Sequence, residues 1–287
     1  MPKKVRVDVL MVERGLAESR SQAQRLVMAG QVRADGQVVL KPSATLQVGA
    51  SLEVDEGPPY VSRGGEKLEF ALRAFSVDVG GQVCADVGAS TGGFTDCLLQ
   101  HGAARVYAVD VGKGILHWRL RRDPRVVVME RTNARYLELL PEPVHLVTID
   151  ASFISLKLLL GVVSGWFAGS QPELLDAAGP EIGSEHVHKG TVIALVKPQF
   201  EAGRKQVAKG DGVIRDPLLH RDVLLEVLGF AQEAGYRLAG LVRSPLVGPK
   251  GNVEFLAVLD YPGAPRDELE ALVDSVTEGR RADDPEL

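Results

Sequence analysis

The sequence predicts an α/β protein, a doubly wound parallel sheet with a small α+β unit at its N-terminus. Three observations carry this. From Arg63 onward, strand-like runs alternate with helical patterns, the arrangement that builds parallel sheets with helices on both faces. Runs such as Thr191–Val196 (TVIALV) are apolar at nearly every position, as strands buried on both faces are. The charge also changes sign along the chain: residues 1–50 hold eight Lys/Arg against four Asp/Glu, and the remainder holds 25 against 34. A length of 287 residues suits about two domains. A small basic module on a larger acidic body suggests that the module meets a polyanion.

In the N-terminal module, Val7–Arg14 reads as a short helix stopped at Gly15. Ser19 suits the N-cap of a second helix, which directs Ala23, Leu26, Val27 and Met28 inward and stops at Gly30. The stretch QVRADGQVVL alternates on either side of Asp35-Gly36, a strong hairpin signal, and further short extended pieces end near Val54. Arg20 and Arg25 fall on the polar side of the second helix, with Arg6 and Lys41 nearby in sequence. Residues Arg6 to Ser43, with an Arg-x-Asp start, a Ser-Arg-Ser helix cap and a Gly-x-Val hairpin, closely resemble the S4 RNA-binding domain. The resemblance implies docking on structured RNA through Arg20, Gln24, Arg25 and neighbouring positions such as Arg6 and Lys41. The module is expected to span residues 1–56. Gly57-Pro58-Pro59 begins a linker over residues 57–63, because paired prolines stiffen the chain and exclude helix.

The body is expected over residues 64–265, with a tail at 266–287. GEKLEFALRAF places Leu68, Ala71, Leu72 and Phe75 on one helical face. Strand-like runs follow at Val83–Val87, Val106–Val109, Val126–Met129, Leu146–Ile149, Val192–Val196, Leu238–Val242 and Val253–Leu259. Helical patterns separate most of them, at Phe94–Gln100, Ser155–Phe167 and Pro217–Ala234, the last begun by an Asp216-Pro217 cap. Gln171–Gly190 is polar and unpatterned and reads as a surface insertion. Its His186 and His188 lack further ligands and read as loop residues, so no metal is expected.

With 45% hydrophobic and 25% charged residues, the chain can bury an ordinary core. Its two cysteines, Cys84 and Cys97, sit in apolar patterns and match neither a disulfide framework nor a metal spacing, which suits a reducing cytoplasm. The least polar stretch, Leu158–Gly169, is shorter than the ~18 residues a membrane span needs. A soluble, cytoplasmic protein with no membrane partner is therefore expected.

The chemistry turns on ADVGASTGGFTD, which follows the first strand of the body and opens a helix. A dinucleotide fingerprint wants Gly-x-Gly-x-x-Gly, but Ser90 occupies the second glycine and Asp86 would place a carboxylate beside a pyrophosphate. A nucleophile elbow fits GASTG, yet it needs a histidine after the late strands, and the last histidine is His220. A pocket for S-adenosylmethionine uses every polar residue at the strand ends. Asp86 and the loop of Gly88, Ala89, Ser90, Gly92 and Gly93, with Phe94 beyond it, would hold the amino-acid end, whose ammonium suits an acid. Asp110 would accept hydrogen bonds from the ribose hydroxyls, and Asn133 would approach the adenine. The sheet is then a Rossmann-like S-adenosylmethionine methyltransferase sheet.

Four further ionisable groups lie in separate segments: Lys67 before the first strand, Asp150 ending the fourth, Lys197 ending the fifth and Glu254 on the last. The surroundings TIDASFIS, ALVKPQFE and GNVEFL are otherwise apolar, so two acids and two bases would satisfy one another on burial. The contexts SRGGEKL, DASFIS, VKPQFE and GNVEF resemble the Lys-Asp-Lys-Glu tetrad of FtsJ-type RNA 2′-O-methyltransferases. The whole chain resembles the haemolysin-A-type (TlyA) ribosomal RNA 2′-O-methyltransferases from Arg6 to Tyr261, the insertion excepted. That resemblance implies methylation of a ribose, that of cytidine, in ribosomal RNA within ribosomal subunits. It also implies catalytic roles for Lys67, Asp150, Lys197 and Glu254, with Asp150 touching the cofactor as well. Lys197 either takes or polarises the proton of the attacking hydroxyl. The loop GRKQVAKGDGVIRD, with Arg204, Lys205, Lys209 and Arg215, follows Lys197 and suits RNA phosphates, as do Arg63 and Lys250. Family pattern gives the linker a part in coupling RNA binding to cofactor binding, but Pro58, Pro59 and Tyr60 are a variant of it. Two alternatives stand beside this reading. One is the membrane-active cytolysin that the family's name suggests, for which no spanning segment is present. The other is an RNA-binding protein with a vestigial catalytic body, against which the intact tetrad counts.

Overall fold

The computed structural model describes residues 4–55, 57–167, 190–203 and 212–278. It falls into two units, Met1–Pro59 and Tyr60–Leu287. Arg204, Lys205, Lys209, His186 and His188 lie outside the described residues.

The first unit pairs strand β1 (Lys4–Arg6) antiparallel with β4 (Thr45–Gln47), and β2 (Val32–Ala34) with both β3 (Gln37–Val38) and β5 (Leu52–Val54). The β2–β3 turn is Asp35-Gly36, with φ of 48° and 79°, the left-handed pair that a two-residue hairpin requires. Helices Val7–Glu13 and Arg20–Met28 close the core of Val7, Met11, Ala17, Ala23, Val27 and Val32. Ser19 caps the second helix by accepting from the Gln22 amide. Met28, expected inside, is 65% exposed, because it lies in the last turn, where the chain leaves the core toward Gly30.

The second unit is built on a seven-stranded sheet in the order β11-β12-β10-β9-β6-β7-β8. Its strands are β6 (Val83–Val87), β7 (Arg105–Asp110), β8 (Val126–Glu130), β9 (Leu146–Ile149), β10 (Gly190–Val196), β11 (Arg237–Arg243) and β12 (Phe255–Tyr261). Pairings among β8, β7, β6, β9 and β10 are parallel, but β12 pairs antiparallel with both β10 and β11. The fully parallel sheet expected from sequence is thus corrected at one strand. Alternate residues of each central strand enter opposite cores. Ala85 and Val87 pack under helices Leu156–Val163 and Pro217–Glu233, while Cys84, Val106 and Ile193 pack under Gly64–Ala74 and Gly93–Gln100. Burial on both faces explains why the sequence shows unbroken apolar runs. Residues 266–287, read as a tail, carry a helix at Leu269–Thr277 whose Val273 is fully buried in the first of these cores.

Segment and helix lock together just after the unit boundary. A Cβ added at Gly65 would stand 2.2 Å from Tyr60 Cγ and 2.5 Å from its Cβ, so the ring rests directly on the Gly65 backbone. The Tyr60 hydroxyl donates to Glu69 at 2.9 Å, and the Val61 amide donates to Asp96 at 2.8 Å. We expect Gly65→Ala to lower stability by about 1–3 kcal/mol, the scale of overpacking. Gly161→Ala, in a helix with open space around it, should be neutral or stabilising. Urea denaturation of both variants checks this, and equal effects would contradict the packing.

Candidate active site

The reversal of β12 decides the site. Its first residue, Phe255, pairs with Val196, the last residue of β10, so Glu254 stands just before β12 at the edge where β9 and β10 end. Glu254 therefore precedes the strand rather than lying on it as expected. Asp150 follows β9 directly, and Lys197 follows β10 as the N-cap of the short helix Pro198–Glu201. Lys67 projects from helix Gly64–Ala74, which covers the same edge.

The four groups meet as two ion pairs. Lys67 Nζ donates to Glu254 Oε2 at 2.5 Å, and Lys197 Nζ lies 2.6 Å from Asp150 Oδ1 and donates to Ser152 Oγ at 3.1 Å. Glu254 is 1% exposed and each lysine 9%. They line one cleft of about 750 Å³ together with Arg63, Gly88, Ala89, Ser90, Thr91, Gly93, Phe94, Phe153, Gln199, Phe200 and Lys250. Gln199 links the pairs to the wall by donating to Glu254 Oε1 at 3.5 Å, and its buried Oε1 has no hydrogen-bond partner among the described residues.

The glycine loop is wound by three left-handed residues, Gly88, Ser90 and Gly92 (φ 83°, 50° and 99°). A Cβ at Gly88 would come within 2.7 Å of the Asp150 carbonyl oxygen, and one at Gly92 within 2.2 Å of Leu120. The loop thus passes main chain where side chains cannot fit. Gly92 shapes the loop from beneath and is not among the cleft walls.

Several sequence-derived ligand positions also bond within the scaffold, and one of them is shut away from the cleft. Asp86 does not reach the cleft: it is fully buried, accepting from Thr95 Oγ1 at 2.6 Å and Thr148 Oγ1 at 3.1 Å. It braces the loop from behind, which corrects the expectation of a direct contact with the ammonium. Asp110 accepts from the Ser90 amide at 2.8 Å and the Gly112 amide at 2.7 Å, tying the loop to the end of β7. Asn133 is exposed and caps the turn Ala134–Tyr136 through the Arg135 amide. Neither lines the cleft.

Sequence reasoning missed Phe153 and Glu201. Phe153 is 91% exposed with φ of 64°, and its ring lies 4.8 Å from that of Phe200. Glu201 pins this loop by accepting from Ser155 Oγ and the Leu156 amide, both at 2.7 Å. An exposed aromatic inside the run DASFIS was the available signal.

In the N-terminal unit, Asp8 is fully buried and gathers three of the expected RNA ligands. Arg6 donates to it through two nitrogens at 3.0 and 2.9 Å, Gln24 at 2.9 Å and Arg20 at 3.1 Å. The Arg6 bond holds its carboxyl well below the usual carboxylate range, against the desolvation of burial, and the Gln24 and Arg20 bonds assist. Arg25 and Lys41 are exposed and stand outside this cluster.

Known proteins match both units. A family model described as "FtsJ-like methyltransferase" matches residues 60–261, and one described as "S4 domain" matches residues 5–52. The chain belongs to the FtsJ-like methyltransferases. This methyltransferase is 47% identical, over 89% of each chain, to a "16S/23S rRNA (cytidine-2'-O)-methyltransferase TlyA" of Mycobacterium tuberculosis. It is 44% identical, over 99% of each chain, to a "Putative rRNA methyltransferase YqxC" of Bacillus subtilis. Among solved structures, a "Putative hemolysin from Streptococcus thermophilus" covers 96% of each chain at 42% identity with a TM-score of 0.65. No helix of the described residues is long and apolar enough to cross a membrane.

Burial pushes the Asp86 carboxyl up to about 7, against the Thr95 and Thr148 bonds and with a further push from Asp150. A folded-state value above the unfolded one near 4 means that stability falls as pH rises from about 4 to about 7 and is flat beyond. Wild type should therefore lose more stability between pH 5 and pH 8 than Asp86→Asn does. Urea denaturation at both pH values measures it, and parallel losses would contradict this account of Asp86.

Proposed function

We propose that this methyltransferase transfers a methyl group from S-adenosylmethionine to the 2′-hydroxyl of a cytidine ribose in ribosomal RNA, within a ribosomal subunit. The observation that carries the proposal is the pair of ion pairs Lys67–Glu254 and Lys197–Asp150 on one wall of the cleft, beside the glycine loop. The printed names of the relatives, which specify ribosomal RNA and cytidine 2′-O-methylation, support the substrate.

The residues present fit the cofactor. Gly88, Ala89, Ser90, Thr91 and Gly93 of the glycine loop line the cleft, with main chain bare of side chains at Gly88 and Gly93, and the buried Gln199 Oε1 has no hydrogen-bond partner among the described residues. Gly88, Ala89, Ser90, Gly93 and Phe94 would hold the amino-acid end with Asp150, while Asp110 and Asn133 at the strand ends would take the ribose and adenine. When bound, S-adenosylmethionine supplies a sulfonium methyl open to in-line attack. Lys197 is then fixed by Asp150 and Ser152 where the ribose hydroxyl enters, and it takes or polarises the hydroxyl proton as the oxygen–carbon bond forms. Lys67 and Glu254 stand as the second ion pair in the same cleft and help to fix the geometry, so positioning supplies much of the acceleration. The exposed Phe153 ring, propped by Phe200 at an interplanar angle of 52°, offers an apolar face on which the target base stacks. Arg63 and Lys250, both exposed at the cleft wall, meet RNA phosphates. On the N-terminal unit, the Arg6, Arg20 and Gln24 cluster around Asp8, with Arg25 and Lys41, docks on structured RNA.

If Lys197 acts on the proton, Lys197→Ala should cut single-turnover methylation roughly 10²–10⁴-fold at saturating RNA and cofactor, with both affinities nearly unchanged. Lys197→Arg should fail almost as badly, because a guanidinium cannot accept a proton and is planar where an ammonium is compact. Near-wild-type turnover by Lys197→Arg would show that charge alone suffices there.

A further inference from the structure

The segment that follows β7 stands apart from the acidic body around it. Residues 111–125 hold Lys113, Arg119, Arg121, Arg122 and Arg125 against the single acid Asp123, whereas residues 51–287 together hold 25 Lys/Arg against 34 Asp/Glu. Two of these cations are used internally. Arg121 pairs with Glu130 and donates to the Leu116 carbonyl at 3.1 Å, and Arg125 pairs with Asp123 at 2.8 Å. Lys113, Arg119 and Arg122 are exposed and have no acidic partner among the described residues. Between them Trp118 is 58% exposed, with the Arg119 and Arg122 guanidinium carbons 5.9 and 5.4 Å from its ring centroid. The exposed indole and the two guanidinium groups beside it present an aromatic face and positive charge together at one place on an otherwise acidic unit.

The same segment is attached to the cleft. The His117 amide donates to the Thr91 carbonyl at 3.1 Å, and the Leu116 and Leu120 side chains fill the space beneath Gly92 that a Cβ would need. Whatever docks on Trp118 therefore lies next to the glycine loop, on the same edge of the sheet as the ion pairs.

We infer that Lys113, Trp118, Arg119 and Arg122 form a second RNA-docking surface, on the catalytic unit itself. Trp118 stacks on an unpaired base near the target nucleotide, and the three cations neutralise neighbouring phosphates. This rests on the ribosomal RNA reading above. The chemistry favours RNA over a protein partner, because an exposed indole beside two unpaired guanidinium groups, with Lys113 exposed on the same segment, matches a stacked base flanked by phosphates. A protein partner would match those cations only by presenting a cluster of acids.

The test uses the full-length protein and three variants, Trp118→Ala, Trp118→Phe and the double change Arg119→Ala with Arg122→Ala. Binding to protein-free ribosomal RNA and to intact ribosomal subunits is measured across a salt series, with S-adenosylmethionine affinity by calorimetry as the folding control. Trp118→Ala should weaken binding to RNA about 10-fold, within the range for one lost stacked base. Trp118→Phe should recover most of that loss. The double change should flatten the slope of log affinity against log salt by about 1.5, the loss of two phosphate contacts. Wild-type affinity and slope in all variants would overturn the surface. So would normal binding to protein-free RNA with weakened binding to subunits, which would assign the surface to a ribosomal protein. Methyl transfer by wild type is followed in parallel. RNA binding that depends on Trp118 without any methyl transfer would sink the proposed reaction while leaving this surface standing.

Discussion

The Lys67–Glu254 ion pair joins residues 187 apart in sequence, and the carboxylate it holds is 1% exposed. A carboxylate this deep without its cation is strongly destabilising, by several kcal/mol in comparable cases. The fold therefore has to bring helix Gly64–Ala74 and the start of β12 together. It does so by running β12 against its neighbours, which delivers the beginning of this late strand to the edge where β6, β9 and β10 end. The glycine loop, Asp150 and Lys197 are already there. Even the approach to Glu254 is shaped for it: a Cβ on Gly248 would stand 2.6 Å from its carboxylate.

Around that cluster the acids divide by task. Asp150 and Glu254 face the cleft and hold lysines, Asp86 and Glu201 point into the scaffold and hold loops, and the half-buried Asp110 ties down the glycine loop through the Ser90 amide. Asp86 takes two threonine hydroxyls from different elements, one on β9 and one on helix Gly93–Gln100. Asp8 does the same in the N-terminal unit, where a buried acid sets the spacing of two exposed arginines and a glutamine. A rigid support of this kind holds long cationic side chains in place, so that they need not be ordered when a ligand binds.

Much of this was legible in the sequence because its signals are local. The Asp35-Gly36 turn, the Ser19 and Asp216 caps and the apolar strands each follow from a few neighbouring residues, and the structure places them as read. The strand starting at Val83 and the strand ending at Ile149 agree to the residue. Direction was not legible: an apolar run such as FLAVL does not say which way it enters a sheet, so the reversal of β12 was missed. Facing was not legible either. Asp86 lies one residue before the end of its apolar strand and Asp110 ends the next, and only the positions of Thr95 and Thr148 show that the Asp86 carboxylate serves the scaffold, while Ser90 shows that Asp110 also ties the glycine loop. Trp118 lay hidden for a related reason, since WRLRR reads as an ordinary helical turn until the burial of Leu116 and Leu120 leaves the indole outside.

The central claim is the identity of the atom that receives the methyl group. The most direct measurement uses the wild-type protein, labelled S-adenosylmethionine and separated ribosomal subunits, followed by alkaline hydrolysis of the labelled RNA. A methyl group on the ribose 2′-oxygen removes the internal nucleophile that breaks the adjoining phosphodiester. The account therefore predicts label in an alkali-resistant dinucleotide that begins with cytidine. Label released on a mononucleotide, which would place the methyl group on a base, would contradict it.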